Sequence, residues 1–136
     1  MKHRLLPGLL ILLLLPLWTR GARFDVMVLE SRVLHLGIPG QSEWEDAALR
    51  PVDAERMEIP FTASSNSGES TLLIRHRGVK LAWSVVLNGR KLGLLTRDEA
   101  LMESVFTVPA RALHEGDNVL SINAPPALDD LSLIHI

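Results

Sequence analysis

The chain has 136 residues, with 14 lysines and arginines against 16 aspartates and glutamates and a formal net charge of −2. It has no cysteine, which excludes disulfide bonds and a lipid-modified N-terminal cysteine. No run or stripe of basic residues occurs, so we expect no nucleic-acid partner.

Residues 1–22 have the layout of a secretory signal peptide. A basic start at positions 2–4 precedes an apolar run at 5–18, and small residues follow. The run is shorter than the roughly 20 apolar residues of a membrane-spanning helix. We expect cleavage after Gly21 or Ala22, a secreted or periplasmic location, and no membrane contact afterwards. An uncleaved anchor is the alternative, because an arginine lies next to the cleavage point.

Without this leader, 114 residues remain. The leader contains three of the 14 basic residues, which leaves 11 basic and 16 acidic side chains and a net charge of −5. A chain of this length can bury a core of its own. We therefore predict one domain over residues 23–136.

Alternating or β-branched apolar residues predict a series of short strands. The predicted strands cover 23–37, 57–63, 70–78, 82–89, 91–95, 103–108, 118–124 and 131–136. Pro60 lacks a backbone donor, which indicates an edge strand or a strand end. His76 continues the inward face of Leu72 and Ile74, and we expect its ring near the surface at the strand end.

Turn signals separate these strands. Asn88-Gly89 is the strongest of them, because both positions of a tight hairpin turn need positive φ. Pro109 suits the first position of a single helical turn, which would place Leu113 on the end of the sheets. Turns every 8 to 12 residues predict an all-β, antiparallel sandwich.

One segment has a helical pattern instead. Ser42 is followed three residues later by Glu45, which is a capping-box spacing, and Pro51 ends the segment. The pattern predicts a short helix over 43–49, lying across one end of the sandwich.

The segments "WSVVLNGRKLG" at 83–93 and "FTVPARALHEGDNVLSI" at 106–122 resemble the second half of galactose-binding-like jelly-roll modules. Such modules include the sugar-binding domain of beta-galactosidase and beta-glucuronidase-type glycoside hydrolases, and accessory domains of other secreted hydrolases. The resemblance covers about residues 57–136. It implies an antiparallel jelly roll. It also implies an accessory role beside a catalytic domain. The same residues have a physical interpretation, in which the hairpin register places Trp83 against the core and Gly93 leaves space for a neighbouring backbone or a bulge.

Residues that could catalyse a reaction are present but lack catalytic spacing. The histidines at 35, 76, 114 and 135 form no H-x-H or H-E-x-x-H motif, and the serines of 64–70 form no nucleophile elbow. Paired carboxylates serve glycoside hydrolysis, but those available suit a helix start or a turn; they are Glu43, Glu45, Asp46, Asp129 and Asp130. We predict no catalytic site.

Three residues are the candidates for weak ligand binding. We expect Trp44 to be partly exposed on the predicted helix, and Arg75 and Arg77 to lie on the outward face of their strand. The arginines could contact sugar hydroxyls or carboxylates, although a solvated face is the simpler interpretation. No cofactor and no metal site is predicted. Some sandwiches of this type bind structural calcium through loop oxygens, for which Asp25, Asp129 and Asp130 are available.

The sequence stops at "DDLSLIHI", in the middle of a predicted strand. This favours a truncated domain with a catalytic domain downstream. The final six residues also resemble the translation of sequencing-adaptor DNA. If they come from such DNA, the native strand after Asp130 is missing from this sequence. The sequence leaves both interpretations open.

The sequence thus predicts a non-catalytic N-terminal accessory module of a secreted hydrolase, either carbohydrate-binding or domain-bracing. Its partners would be a glycan or a downstream catalytic domain of the same polypeptide. A free-standing secreted protein-binding or adhesion module is the alternative, and a small secreted enzyme ranks third.

Overall fold

The computed structural model describes residues 25–37 and 52–125, and the backbone of 131–135. The predicted leader at 1–22 and the predicted helix at 43–49 lie outside this part of the chain. The described residues form eight strands and no helix. They are β1 Leu34–Leu36, β2 Met57–Ala63, β3 Ser70–Arg77, β4 Ser84–Leu87, β5 Arg90–Leu94, β6 Met102–Val108, β7 Gly116–Asn123 and β8 Leu131–His135.

These strands form two four-stranded sheets, in which every strand is antiparallel to its neighbours. Sheet I has the order β1-β8-β3-β6, and sheet II has the order β2-β7-β4-β5. β2 is an edge strand, and Pro60 is exposed on it, as the missing backbone donor predicts. The predicted all-β, antiparallel architecture is confirmed.

Both sheets contribute side chains to one core, which makes the architecture sandwich-like. Strands alternate buried and exposed residues, so that one face of each sheet is apolar. Trp83 and Val85 are fully buried, as predicted. The buried cluster comprises Leu36, Ile74 and Phe106 from sheet I, Met57, Ile59, Val85, Leu120 and Ile122 from sheet II, and the connecting residues Val79, Trp83 and Leu95.

The β4–β5 hairpin turns at Asn88-Gly89, as its sequence predicts. Asn88 has φ 51° and Gly89 has φ 79°, so both turn residues are in the left-handed region. The turn sets the register that points Val85 and Leu87 into the core. Pro109 begins a tight turn rather than the predicted helical turn, because its carbonyl accepts a hydrogen bond from Ala112 N while Arg111 has φ 65°, in the left-handed region. Leu113 packs on a second, smaller apolar cluster, as predicted.

The strand predicted over 23–37 is mostly wrong within the described residues. Only Leu34–Leu36 pair with another strand. Before them, the Arg32 backbone N–H and guanidinium both donate to the Glu30 carboxylate, which bends the chain. Val26, Met27 and Val28 are exposed. β-branched residues favour strands only where a partner strand covers them, and here β8 covers just three residues.

Gly93 makes a close approach, but to the side chain of Phe106 rather than to the neighbouring backbone that the sequence predicted. A Cβ at this position would lie 2.9 Å from Phe106 Cε1 and 3.1 Å from Phe106 Cδ1. Because Phe106 is buried in sheet I and Gly93 lies on β5 of sheet II, the missing side chain lets the edges of the two sheets meet. A bulge opposite, between Val85 and Val86, accompanies this approach.

We expect Gly93→Ala to destabilise the fold by about 1–3 kcal/mol, because the added methyl overpacks the buried Phe106 ring. Gly68→Ala is the matched control, since a Cβ there meets nothing within 4 Å; its effect should stay within about 0.5 kcal/mol. Urea unfolding of both variants measures the difference. Equal stability of the two would contradict the proposed close approach.

Candidate functional site

The two predicted ligand-binding arginines lie on the outer face of sheet I. Arg75 and Arg77 are both exposed, as the alternation along β3 predicts. Arg75 is not free, however. Its Nη2 donates to Glu103 Oε1 on β6 at 2.7 Å and its Nε donates to the same oxygen at 3.1 Å. Arg75 and Glu103 lie directly opposite each other in the register of β3 and β6, so the ion pair links these two strands.

An apolar pair lies next to this ion pair. Leu73 and Val105 are directly opposite on β3 and β6, and they remain 40% and 63% exposed. Six outward side chains of these two strands lie directly opposite one another in three pairs, and we call them the β3–β6 face; they are Thr71, Leu73, Arg75, Glu103, Val105 and Thr107. The face therefore combines an exposed apolar centre with a charged pair on one side and two threonines on the other.

The structure does not bring the other predicted ligands to this face. Trp44, Asp129 and Asp130 lie outside the described residues. Asp25 is exposed. Among the residues that the structure describes, no group of three or more potential metal-ligating side chains comes together.

His76 corrects a prediction. Its ring is fully buried rather than near the surface. β6 pairs with one side of β3 as far as His76, and β8 pairs with the other side at the same residue, so the strand end lies inside the sheet. The alternation with Ile74 correctly predicts that the His76 side chain points inward. The burial of its ring depends on β6 and β8, which are distant in the sequence.

The buried ring belongs to a small hydrogen-bond network. His76 Nε2 lies 2.7 Å from Ser104 Oγ, and the Ser104 hydroxyl donates to Thr96 Oγ1 at 3.0 Å. Thr96 N in turn donates to Ser104 Oγ. His76 Nδ1 is buried and has no hydrogen-bond partner within the described residues.

A serine beside a histidine is a residue pair that serves as nucleophile and base in hydrolases. Here Ser104 and His76 are 4% and 0% exposed, so no substrate reaches the serine oxygen. The network instead attaches the residue 96 loop to β6. The sequence indicates this network only through alternation, which places residues 74 and 76 on the inward face of β3 and residues 104 and 106 on the inward face of β6.

Asparagine side chains organise the opposite end of the sandwich. Asn118 is buried; its Oδ1 accepts from His114 N and from Asn88 Nδ2, and its Nδ2 donates to the His114 and Gly116 carbonyls. Asn66 joins a second loop to this end, because its Nδ2 donates to Pro109 O and its Oδ1 accepts from Leu113 N. These polar side chains hold loops in place, as buried amides commonly do.

An apolar groove of about 770 Å³ opens beside these loops. Residues 25–29 and 69–73 form its two walls, and core side chains such as Leu87, Val108 and Leu120 form its floor. Sequence reasoning missed it, because its two walls are more than 40 positions apart in the chain. We refer to it as the groove.

Comparisons with known proteins give no match: no family model, no curated protein and no solved structure matches this chain. Within the described part of the chain, no helix has the length and apolar character to cross a membrane. The resemblance to galactose-binding-like modules therefore remains an expectation from the residues quoted above.

We expect stability to fall as the pH drops below about 6.5. Burial lowers the pKa of His76 from its ordinary 6.5. Below 6.5 the unfolded chain therefore binds a proton that the folded chain resists, which favours unfolding until the pH reaches the lowered pKa. His76→Gln keeps a donor for Ser104 but cannot titrate, so its stability should decline less between pH 7.5 and 5.

Urea unfolding at several pH values measures this difference. His114→Gln is the control, because His114 is exposed and its variant should keep the wild-type pH slope. Parallel slopes for wild type and His76→Gln would show that the buried ring does not determine the acid sensitivity.

Proposed function

We propose that the chain is a non-catalytic, secreted accessory module of the galactose-binding-like jelly-roll type. Its role is to position a catalytic domain of a larger secreted hydrolase. The observation that carries this proposal is the β3–β6 face, where an exposed apolar pair lies beside an ion pair. Protein interfaces have this composition, with an apolar centre and a polar rim.

The polar side chains of the described region support the same role. Asn66, Asn88 and Asn118 hold loops, and His76 and Ser104 hold a loop to a strand. These groups stabilise the sandwich itself, which suits a scaffold. The signal-peptide pattern predicted at 1–22 supports an exported module, and the lack of cysteine means that its stability depends on its core rather than on disulfides.

Weak glycan binding is the second form of the accessory role. It is favoured by Arg77, which is exposed beside Arg75 on β3. Guanidinium donors can bind sugar hydroxyls or carboxylates. The Arg75–Glu103 pair would offer a donor and an acceptor together. The free-standing adhesion module would use the β3–β6 face as well, but with a partner from a different polypeptide.

The domain-bracing role predicts that Val105→Asp uncouples this module from its catalytic domain. In the natural polypeptide that contains both, the variant should split one thermal unfolding transition into two or lower the melting temperature of the catalytic domain. Val119→Asp is the control, because Val119 is exposed on sheet II. Both substitutions should change the stability of the chain alone by no more than about 0.5 kcal/mol, since both are at exposed positions.

Four further results would contradict parts of this proposal. Identical unfolding of the two aspartate variants would remove the role of the β3–β6 face. A natural stop codon shortly after Ile136 would favour the free-standing adhesion module. Turnover of chromogenic glycosides or phosphoesters by the purified chain would overturn the non-catalytic assignment. On a glycan array, binding that Arg75→Ala and Arg77→Ala both abolish would favour the carbohydrate-binding form over bracing.

A further inference from the structure

The turn of the β4–β5 hairpin contains an asparagine of the most reactive kind. The backbone nitrogen that follows an asparagine can attack its side-chain amide, and glycine in that position allows the attack best because it has no side chain to obstruct it. Asn88 is the only one of the chain's four asparagines that glycine follows. Gly89 is exposed, and an added Cβ there would meet nothing within 4 Å. The sequence thus places one site of spontaneous modification at this turn.

In the folded chain, hydrogen bonds hold both polar atoms of the Asn88 side chain. Nδ2 donates to Ala112 O at 2.9 Å and to Asn118 Oδ1 at 2.8 Å, so both amide hydrogens are used. Oδ1 accepts from Val119 N at 2.9 Å. The backbone is fixed as well, because Asn88 N donates to Val119 O. The turn before β7 and β7 itself therefore hold this one amide together.

Modification of this asparagine takes two steps and needs only water. In the first step, the lone pair of Gly89 N forms a bond to Asn88 Cγ, the Cγ–Nδ2 bond breaks, and ammonia leaves with the proton of Gly89 N. The product is a cyclic succinimide. Water then opens the ring at one of its two carbonyl carbons. One opening yields aspartate, and the other yields isoaspartate, in which the main chain runs through the side chain.

The folded arrangement opposes the first step. Ring closure brings Cγ within bonding distance of Gly89 N and makes that carbon tetrahedral. The planar amide then cannot keep its bonds to Ala112, Asn118 and Val119 together. Asn118 is 2% exposed, so little water can replace the lost donor. The amide is therefore free to react only when this end of the sandwich opens.

An aspartate product does not fit the place of the asparagine. Asp-Gly suits a hairpin turn as Asn-Gly does, so the turn itself tolerates the change. A carboxylate oxygen in the place of Nδ2, however, would face two acceptors, Ala112 O and Asn118 Oδ1. Asn118 cannot turn its amide to supply a donor, because its Nδ2 already donates to the carbonyls of His114 and Gly116.

An isoaspartate product changes the main chain as well. It adds one carbon atom to the backbone between Leu87 and Arg90, which are paired across the turn. Leu87 is 3% exposed, and the register of this hairpin directs it into the core. Both products therefore oppose closure of the same end of the sandwich.

We infer that Asn88-Gly89 is a self-modification site that the fold controls. While the end of the sandwich is closed, the hydrogen bonds to Ala112, Asn118 and Val119 keep the amide unreactive. When that end opens, the amide cyclises and hydrolyses, and the modified chain does not close again. The turn thus converts a reversible opening into an irreversible one. This site does not depend on the role proposed for the β3–β6 face.

Incubation of the purified chain in neutral buffer tests the control by the fold. The reference is the peptide acetyl-WSVVLNGRKLG-amide, which contains residues 83–93 without the rest of the sandwich. Mass spectrometry follows the conversion of Asn88, and an isoaspartate methyltransferase assay counts the isoaspartate. Conversion should be at least about tenfold slower in the folded chain, because only its open fraction reacts. In urea above the unfolding midpoint, chain and peptide should convert equally fast.

Asn118→Ala tests the hydrogen bonds directly. It removes one acceptor of the Asn88 amide, so conversion of the folded variant should be several-fold faster than in wild type. Asn123→Ala is the matched control, because Asn123 lies at the other end of β7, and it should keep the wild-type rate. If circular dichroism shows that Asn118→Ala does not fold, Asn66→Ala replaces it, since Asn66 holds the turn that contains Ala112.

Asn88→Asp tests the consequence of the modification. It should raise the equilibrium constant for unfolding by about ten- to a hundredfold, because one carboxylate oxygen meets two acceptors. Asn123→Asp makes the same change of charge at the far end of β7, and it should raise that constant by no more than about threefold. Urea unfolding measures both variants.

Any of three results would overturn the inference. Equal conversion rates of the folded chain and the peptide would show that the fold does not protect the amide. Unfolding constants that match between the two aspartate variants would show that the product fits the turn. Modified chains that refold from urea as completely as unmodified chains would remove the irreversible step.

Discussion

The hydrogen bond between the amides of Asn88 and Asn118 holds one end of this sandwich together. Asn88 lies in the β4–β5 turn, and Asn118 lies on β7 and holds the loop that precedes that strand. Asn88 also bonds to Val119 in both directions, through its backbone N–H and its side-chain oxygen. Because buried amides are costly to leave unpaired, this contact determines where the turn, the loop and β7 meet, and hence the floor of the groove.

The two neighbours of β3 in sheet I, β6 and β8, pair with it over different lengths. β6 covers its full length on one side, so their outward residues form a continuous face with an apolar pair and an ion pair. β8 covers only its second half on the other side, so the first half borders a groove instead. One strand thus contributes to two surfaces of different character, the exposed β3–β6 face and one wall of the apolar groove.

Local patterns predicted most of the strands correctly because their determinants are local. Asn88-Gly89 requires positive φ, Pro60 cannot donate, and alternation from Met57 to Ala63 sets a buried face. The errors occur where distant strands decide. The apolar residues at 26–28 look like a strand, but β8 pairs only with Leu34–Leu36. His76 looks like a strand end, but β6 and β8 enclose it on both sides.

The sequence by itself determined the all-β class, the position of most strands, the β4–β5 hairpin and the outward direction of Arg75 and Arg77. Each of these follows from neighbouring residues, through backbone dihedrals and side-chain alternation. Only the tertiary structure decided that Arg75 pairs with Glu103, that His76 is buried against Ser104, and that two walls far apart in the chain enclose the groove. Such contacts depend on strand order and register between distant segments, which no local pattern specifies.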